Sequence, residues 1–146
     1  MSNKNLLEEM KLDLDKYLQE YLTEGFATYE FDLLAGRGPK IKVRTISVSG
    51  QMAVESSMKD TSKEDIPLYR MHKYQLEFLS HVLLKVGNKE FKSPEEVMNY
   101  ITEKGLAFAD KVSKVQSTFE QLFRTELSSD DIENFSQTPS TGTELQ

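Results

Sequence analysis

The sequence predicts an α+β fold, mostly helical, in which one β-hairpin over about residues 26–46 packs on a bundle of four to five helices. Two observations carry this prediction. Apolar residues alternate along two short arms around a Gly-rich turn between Phe26 and Ile46, and they recur at three- and four-residue spacings almost everywhere else. At 146 residues the chain is long enough for one domain with a real core. That domain is expected over 1–127, with an N-terminal helix over 5–24, and an acidic, largely disordered tail is expected over 128–146. From Ser136 onward the composition is Gln, Thr, Pro, Ser and Gly with scarcely an apolar residue.

In the helix over 5–24, Leu7, Met10, Leu14, Tyr17 and Tyr21 recur at spacings of three, four, three and four, and Gly25 ends it. Two readings are open for this stripe: a face packed on the chain's own core, or an arm that binds a partner. The hairpin follows. Tyr29, Phe31 and Leu33 alternate with Thr28, Glu30 and Asp32, and the return arm Lys40-Ile41-Lys42-Val43-Arg44-Thr45-Ile46 alternates in the same way. Ala35-Gly36-Arg37-Gly38-Pro39 reads as a five-residue loop. Pairing Leu34 with Lys40 sets Phe31 opposite Val43, Leu33 opposite Ile41, Asp32 opposite Lys42 and Glu30 opposite Arg44. One register then gives apolar pairs on one face and opposite charges on the other. A two-stranded ribbon is marginal alone in water, so its apolar face needs a cover.

Ser47 and Ser49 offer N-caps for a short helix ending near Met58, with Met52, Val54 and Met58 as its apolar content. Residues 59–65 are polar and aperiodic and read as a loop. Pro67 suits the first turn of a long helix over 67–86, in which Leu68, Met71, Gln75, Phe78, Leu79, Val82 and Val86 track one face. This helix is expected at the centre of the bundle, with Gly87-Asn88 as its stop. Ser93-Pro94-Glu95-Glu96 is a start signal: serine at the N-cap, proline at N1 and Glu96 placed to close a capping box. Gly105 breaks the chain. A last helix over about 106–127 carries Phe108, Val112, Val115, Phe119 and Leu122 as a heptad-like seam, too short for a coiled coil. Residues 129–135 read as one further helical turn.

Chemistry is sparse. There are no cysteines, which excludes disulfides, thiolate metal sites and cysteine nucleophiles and suits a reducing compartment. The two histidines, His72 and His81, stand two and a half helical turns apart and point in opposite directions, so they cannot share a metal. Gly36-Arg37-Gly38 lacks the lysine and hydroxyl of a phosphate-binding loop and leads into a strand, so a turn explains it. The paired acids Glu8-Glu9, Glu64-Asp65, Glu95-Glu96 and Asp130-Asp131 fall at helix starts or on polar faces, and no calcium-loop pattern occurs. No catalytic residue, cofactor or metal is expected, and the chain reads as a non-enzyme.

The net charge of -6 is unevenly spread: residues 1–24 hold six acids and three lysines, and residues 128–146 hold four acids and no base. Nucleic acid is therefore disfavoured, because binding it needs a net basic surface; Lys40, Lys42 and Arg44 form only a short stripe, largely neutralised by Glu30 and Asp32. No apolar run approaches the 18 or more residues of a spanning helix, and no secretory signal is seen, so a cytoplasmic protein with no membrane partner is expected. What the chain offers is apolar surface in excess of one obvious core. The candidates for binding another protein are Leu7, Met10, Leu14, Tyr17 and Tyr21 of the first helix, with Met52 and Met58, since methionine surfaces adapt to partners. Self-association into a homo-oligomer is left open.

The order of parts resembles the tail assembly chaperones of tailed bacteriophages and the related small proteins that assist baseplate-hub assembly. The likeness covers about residues 26–127. It rests on a helical N-terminus, the strand Lys40-Ile41-Lys42-Val43-Arg44-Thr45-Ile46-Ser47, a short helix with Gln51-Met52-Ala53-Val54-Glu55, and a helical remainder with a polar acidic tail. The resemblance implies a protein of the host cytoplasm that coats the tape-measure protein during tail morphogenesis and helps recruit tail tube subunits. The alternative is a structural tail or baseplate component retained in the virion, with baseplate proteins as partners.

Overall fold

The computed structural model describes residues 3–59 and 67–131. Its elements in chain order are α1 (Asn3–Leu12), α2 (Leu14–Glu24), β1 (Thr28–Leu34), β2 (Arg37–Arg44), α3 (Val48–Lys59), α4 (Pro67–Val82), β3 (Leu83–Val86), β4 (Lys89–Glu90), α5 (Pro94–Thr102) and α6 (Leu106–Thr125), which continues as a π-helical turn over Glu126–Asp131. The α+β class and the predominance of helix are as the sequence predicts. The hairpin, however, is not alone: its strands are two of a four-stranded antiparallel sheet in the order β1-β2-β3-β4.

The helix expected over 67–86 ends at Val82, and Leu83–Val86 turns directly into β3. Val82, Leu83, Leu84 and Val86 form an apolar run that suits either a buried helix end or a buried strand. The free edge of β2 decides between them: Ile41 pairs Val86, Lys42 pairs Lys85 and Val43 pairs Leu83. Gly87-Asn88 is then a hairpin turn between β3 and β4, with Gly87 at φ 61, and not a helix stop.

The β1–β2 ribbon is also registered differently. Thr28 pairs Arg44, Tyr29 pairs Val43, Glu30 pairs Lys42, Phe31 pairs Ile41 and Asp32 pairs Lys40, a slip of two residues from the expected register. An even slip leaves every side chain on its expected face, so the apolar and charged faces survive. The loop is tighter than five residues. Leu34 pairs Arg37 around Ala35-Gly36, and β2 takes up an extra residue between Arg37 and Lys40 where Gly38 sits at φ 84. Glycine accepts that angle without a Cβ penalty.

The expected first helix is two. Asp13, at φ -110 and ψ 22, interrupts it, and its N–H bonds the Met10 carbonyl at 3.2 Å. With this bend, Leu6 and Met10 of α1 and Tyr17 and Tyr21 of α2 all join the core along α6. Capping follows expectation at two starts. Ser47 Oγ accepts from Gly50 N at 3.0 Å, and Ser93 Oγ accepts from Glu96 N at 3.2 Å. The Glu96 carboxylate reaches back past the cap residue to Lys92 N, at 3.0 Å. The expected polar loop lies, beyond Lys59, outside the described residues, as do 132–135 of the expected last turn and the tail from Ile132 onward. Residues 128–131 continue the final helix, so the helical body extends past 127.

The core centres on α6, not on α4. Ala109, Val112, Val115, Gln116, Phe119, Leu122 and Phe123 are buried along α6, whereas α4 buries only Leu79, Ser80 and Val82. Around Phe119 the rings of Tyr17, Tyr29 and Phe123 lie 5.1, 5.3 and 5.2 Å away. Such pairs add about 0.5–1.5 kcal/mol each beyond simple burial.

Candidate functional site: a helix-lined groove and an open sheet edge

Two concave surfaces lie on opposite sides of α6. The first is a groove of about 620 Å³ floored by α4 and walled by α3 and α6. On its floor, Met71, Tyr74 and Phe78 succeed one another at spacings of three and four, which puts them on one stripe of α4. The Tyr74 and Phe78 rings stack with centroids 6.1 Å apart. The walls are polar: Gln51 and Glu55 on α3, and Asp110, Ser113, Ser117, Gln121 and Arg124 on α6. Gln51 Nε2 donates to the Tyr74 hydroxyl at 3.1 Å and to Glu55 at 2.9 Å, and Gln75 Nε2 donates to Asp110 at 3.0 Å. α3 and the first turns of α4 expose Val48, Met52, Leu68, Tyr69 and Met71, with Met52 and Met71 at 64% and 63%, and of these Met71 lines the groove.

At the inner end of the groove a polar junction ties the exit of β2 to α6. The buried Gln116 side chain donates to the Arg44 carbonyl at 3.0 Å and to Glu120 at 2.9 Å, and Glu120 accepts from Ile46 N at 3.0 Å. Arg44 lays its guanidinium 4.1 Å over the Phe26 ring and donates to the Thr45 carbonyl. Burial pulls the Arg44 pKa down from its usual value, and the Glu120 charge opposes that shift. Arg44 is therefore taken up by the fold, which leaves Lys40 and Lys42 of the expected basic stripe.

The second surface is a cleft of about 670 Å³ along β1, bounded by α1 and the first half of α6. Every residue from Tyr29 to Gly36 lines it, from both faces of the strand. Its lining therefore includes the outward-alternating Glu30 and Asp32 as well as Tyr29, Phe31 and Leu33 of the apolar face. β1 is the outer strand, with β2 as its sole neighbour in the sheet.

The candidate binding residues are distributed unevenly over these surfaces. Met10 and Tyr17 are buried, and Leu7, Leu14 and Tyr21 are half-buried against the same core. Tyr21 stacks on Phe123 with centroids 5.3 Å apart. This stripe is thus spent inside the molecule, as the core reading of the first helix has it. Met58 is half-buried, and Met52 is open to solvent on α3, next in sequence to the groove-lining Gln51. The Met71–Tyr74–Phe78 stripe carries no mark of a surface feature in the sequence, because its spacing is the same as that of a core face.

Among the described residues no group of three or more His, Asp or Glu is set to hold a metal ion, and no helix is long and apolar enough to cross a membrane. His72 lines the groove, and His81 packs near Gly50, where α3 closes on α4. Comparison with protein-family models, with curated proteins and with solved structures finds no match to this chain.

Proposed function

We propose that this protein is a non-enzymatic assembly chaperone that holds an amphipathic helix of a partner in the α3–α4–α6 groove. The partner we assign is the tape-measure protein of a bacteriophage tail, met in the host cytoplasm before tail tube subunits assemble on it. The observation that carries the reading is the apolar stripe Met71–Tyr74–Phe78 along the floor of an open groove, on helices that also expose Met52 and Leu68. A helix laid in such a groove docks through anchors at the same three- and four-residue spacing. Flexible methionines let one surface accept several turns of a long helical partner in succession. The tail-assembly assignment itself draws on the order of parts in the sequence.

A second reading is a structural component that stays in the tail or baseplate, and the open edge of β1 favours it. Co-expression separates the two. The chaperone should keep the tape-measure protein in the soluble fraction and be missing from finished particles. Presence in particles at fixed stoichiometry identifies the structural component. The double variant M52E/M71E alters only exposed positions, so it should fold normally and lose the solubilised complex. A tape-measure protein equally soluble without this chain overturns the chaperone reading.

A further inference from the structure

We infer that the free edge of β1 is a binding site for an extended peptide in which basic and apolar residues alternate. Three observations converge on it.

The first is backbone chemistry. Thr45 N bonds the Ala27 carbonyl at 3.0 Å, which makes this pair, and by alternation Tyr29–Val43 and Phe31–Ile41, the hydrogen-bonded ones of the ladder. Thr28, Glu30 and Asp32 therefore turn their N–H and C=O groups away from β2. The fold satisfies the first of these: Glu20 on α2 accepts from Thr28 N at 2.9 Å and from its hydroxyl at 2.9 Å. Glu30 and Asp32 have no such cover among the described residues, and the cleft lies against them.

The second is the cleft itself, whose floor carries Leu6, Phe31, Leu33 and Phe108. A strand added to β1 sends alternate side chains down onto this floor and the others up beside Glu30 and Asp32. Backbone pairing then gives affinity and the floor gives selectivity.

The third is charge. On its other edge β1 already accepts a strand of this kind, β2, which sends Ile41 and Val43 to the core and sets Lys40 and Lys42 beside Asp32 and Glu30. The outer face reads Glu30, Lys42, Lys85 and Glu90 in one row across the four strands, so a basic residue outside Glu30 extends the row with an opposite-charge neighbour. Lys40 is engaged with Asp32 at 2.9 Å, while Glu30 makes no ion pair among the described residues. Lys111 and Lys114 stand on the α6 wall that the inner side chains meet, with Glu9 across on α1. They disfavour bases on the inner side and so confine them to the outer row. A second copy pairing β1 with β1 sets Glu30 and Asp32 against their own equivalents, which like-charge repulsion opposes.

This site shares no lining residue with the helix groove and stands whether or not that groove binds a helix. The test uses the full chain and a fluorescent, end-blocked heptapeptide of alternating lysine and isoleucine, with an alternating glutamate–isoleucine peptide and a composition-matched peptide lacking alternation as controls. The basic alternating peptide should bind best and slow hydrogen exchange at the Glu30 and Asp32 amides. Glu30→Pro removes an outward N–H that the β1–β2 ladder does not use, and should weaken binding about tenfold or more. Glu30→Lys, which leaves the backbone intact, should weaken it in the same direction. Equal binding of either control, protection confined to the α3–α4 groove, or unchanged affinity in Glu30→Lys overturns the inference. So does concentration-dependent dimerisation that Glu30→Pro abolishes, which would assign the edge to a second copy.

Discussion

Thr45 shows how much of this fold hangs on single polar atoms. It is buried next to Ala27, accepts from Ala27 N through Oγ1 at 3.2 Å and closes the ribbon where α2 gives way to β1. Thr45→Val keeps the shape and removes the acceptor, so an N–H is left buried and unpaired. We expect a loss of about 1–3 kcal/mol in urea unfolding, largely recovered in Thr45→Ser. Tyr29 is the second such residue. Burial first, then the Glu9 charge, the neighbouring Tyr17 and a hydrogen bond to Glu9, push its hydroxyl from 10.0 up to about 12. Tyr17 is raised as well, by burial and then by Asp13, Glu9 and Glu20. The folded chain thus holds protons that the unfolded chain gives up near pH 10. The stabilisation is complete below pH 10 and is lost as pH rises through about 12. Denaturant midpoints measured from pH 8 to 11 should fall at the alkaline end, and less steeply in Tyr29→Phe. Parallel profiles for the two proteins would refute the assignment. None of this was legible beforehand, because the sequence does not reveal which tyrosine meets a carboxylate.

At the scale of elements, the signals contained within a few residues were the ones the sequence carried. Ser93-Pro94-Glu95-Glu96 starts α5 where expected, and the Ser93 side chain caps Glu96 N. Ser93→Ala should cost about 1 kcal/mol in thermal or urea unfolding, while Ser93→Asp should cost little. Ser47 likewise caps α3. Leu83–Val86 is a strand and not the expected helix end for a physical reason: a short apolar run is compatible with helix or strand, and its state depends on whether a strand edge waits nearby. The edge of β2, about forty residues earlier, supplies it. Gly87-Asn88 between two short apolar-containing arms was the available hairpin signal. Asp13 left no comparable trace, since the apolar stripe runs through it unbroken.

For the whole molecule, α6 packs against α1, α4 and both strands of the ribbon, so it and the inner strands β2 and β3 should unfold only with the domain. Hydrogen exchange followed by mass spectrometry should find its slowest amides in α6, β2 and β3. Faster exchange is expected in α3 and the first turns of α4, which expose their apolar residues and form the rim of the groove. A groove rim at the global stability limit would count against its use as an adaptable docking surface.

By itself the sequence determined the class of fold, the two alternating strands with their correct faces, the helix starts at Ser47, Pro67 and Ser93, and the seam of α6. These depend on spacing and on hydrogen bonds that close within four residues. Only the tertiary structure decided that the ribbon grows to four strands, that the first helix's apolar stripe lies in the core, and that Met71, Tyr74 and Phe78 face an open groove. A three- and four-residue period marks an apolar helix face without saying what covers it. That cover comes from elements tens of residues away, and so does the partner of a strand edge.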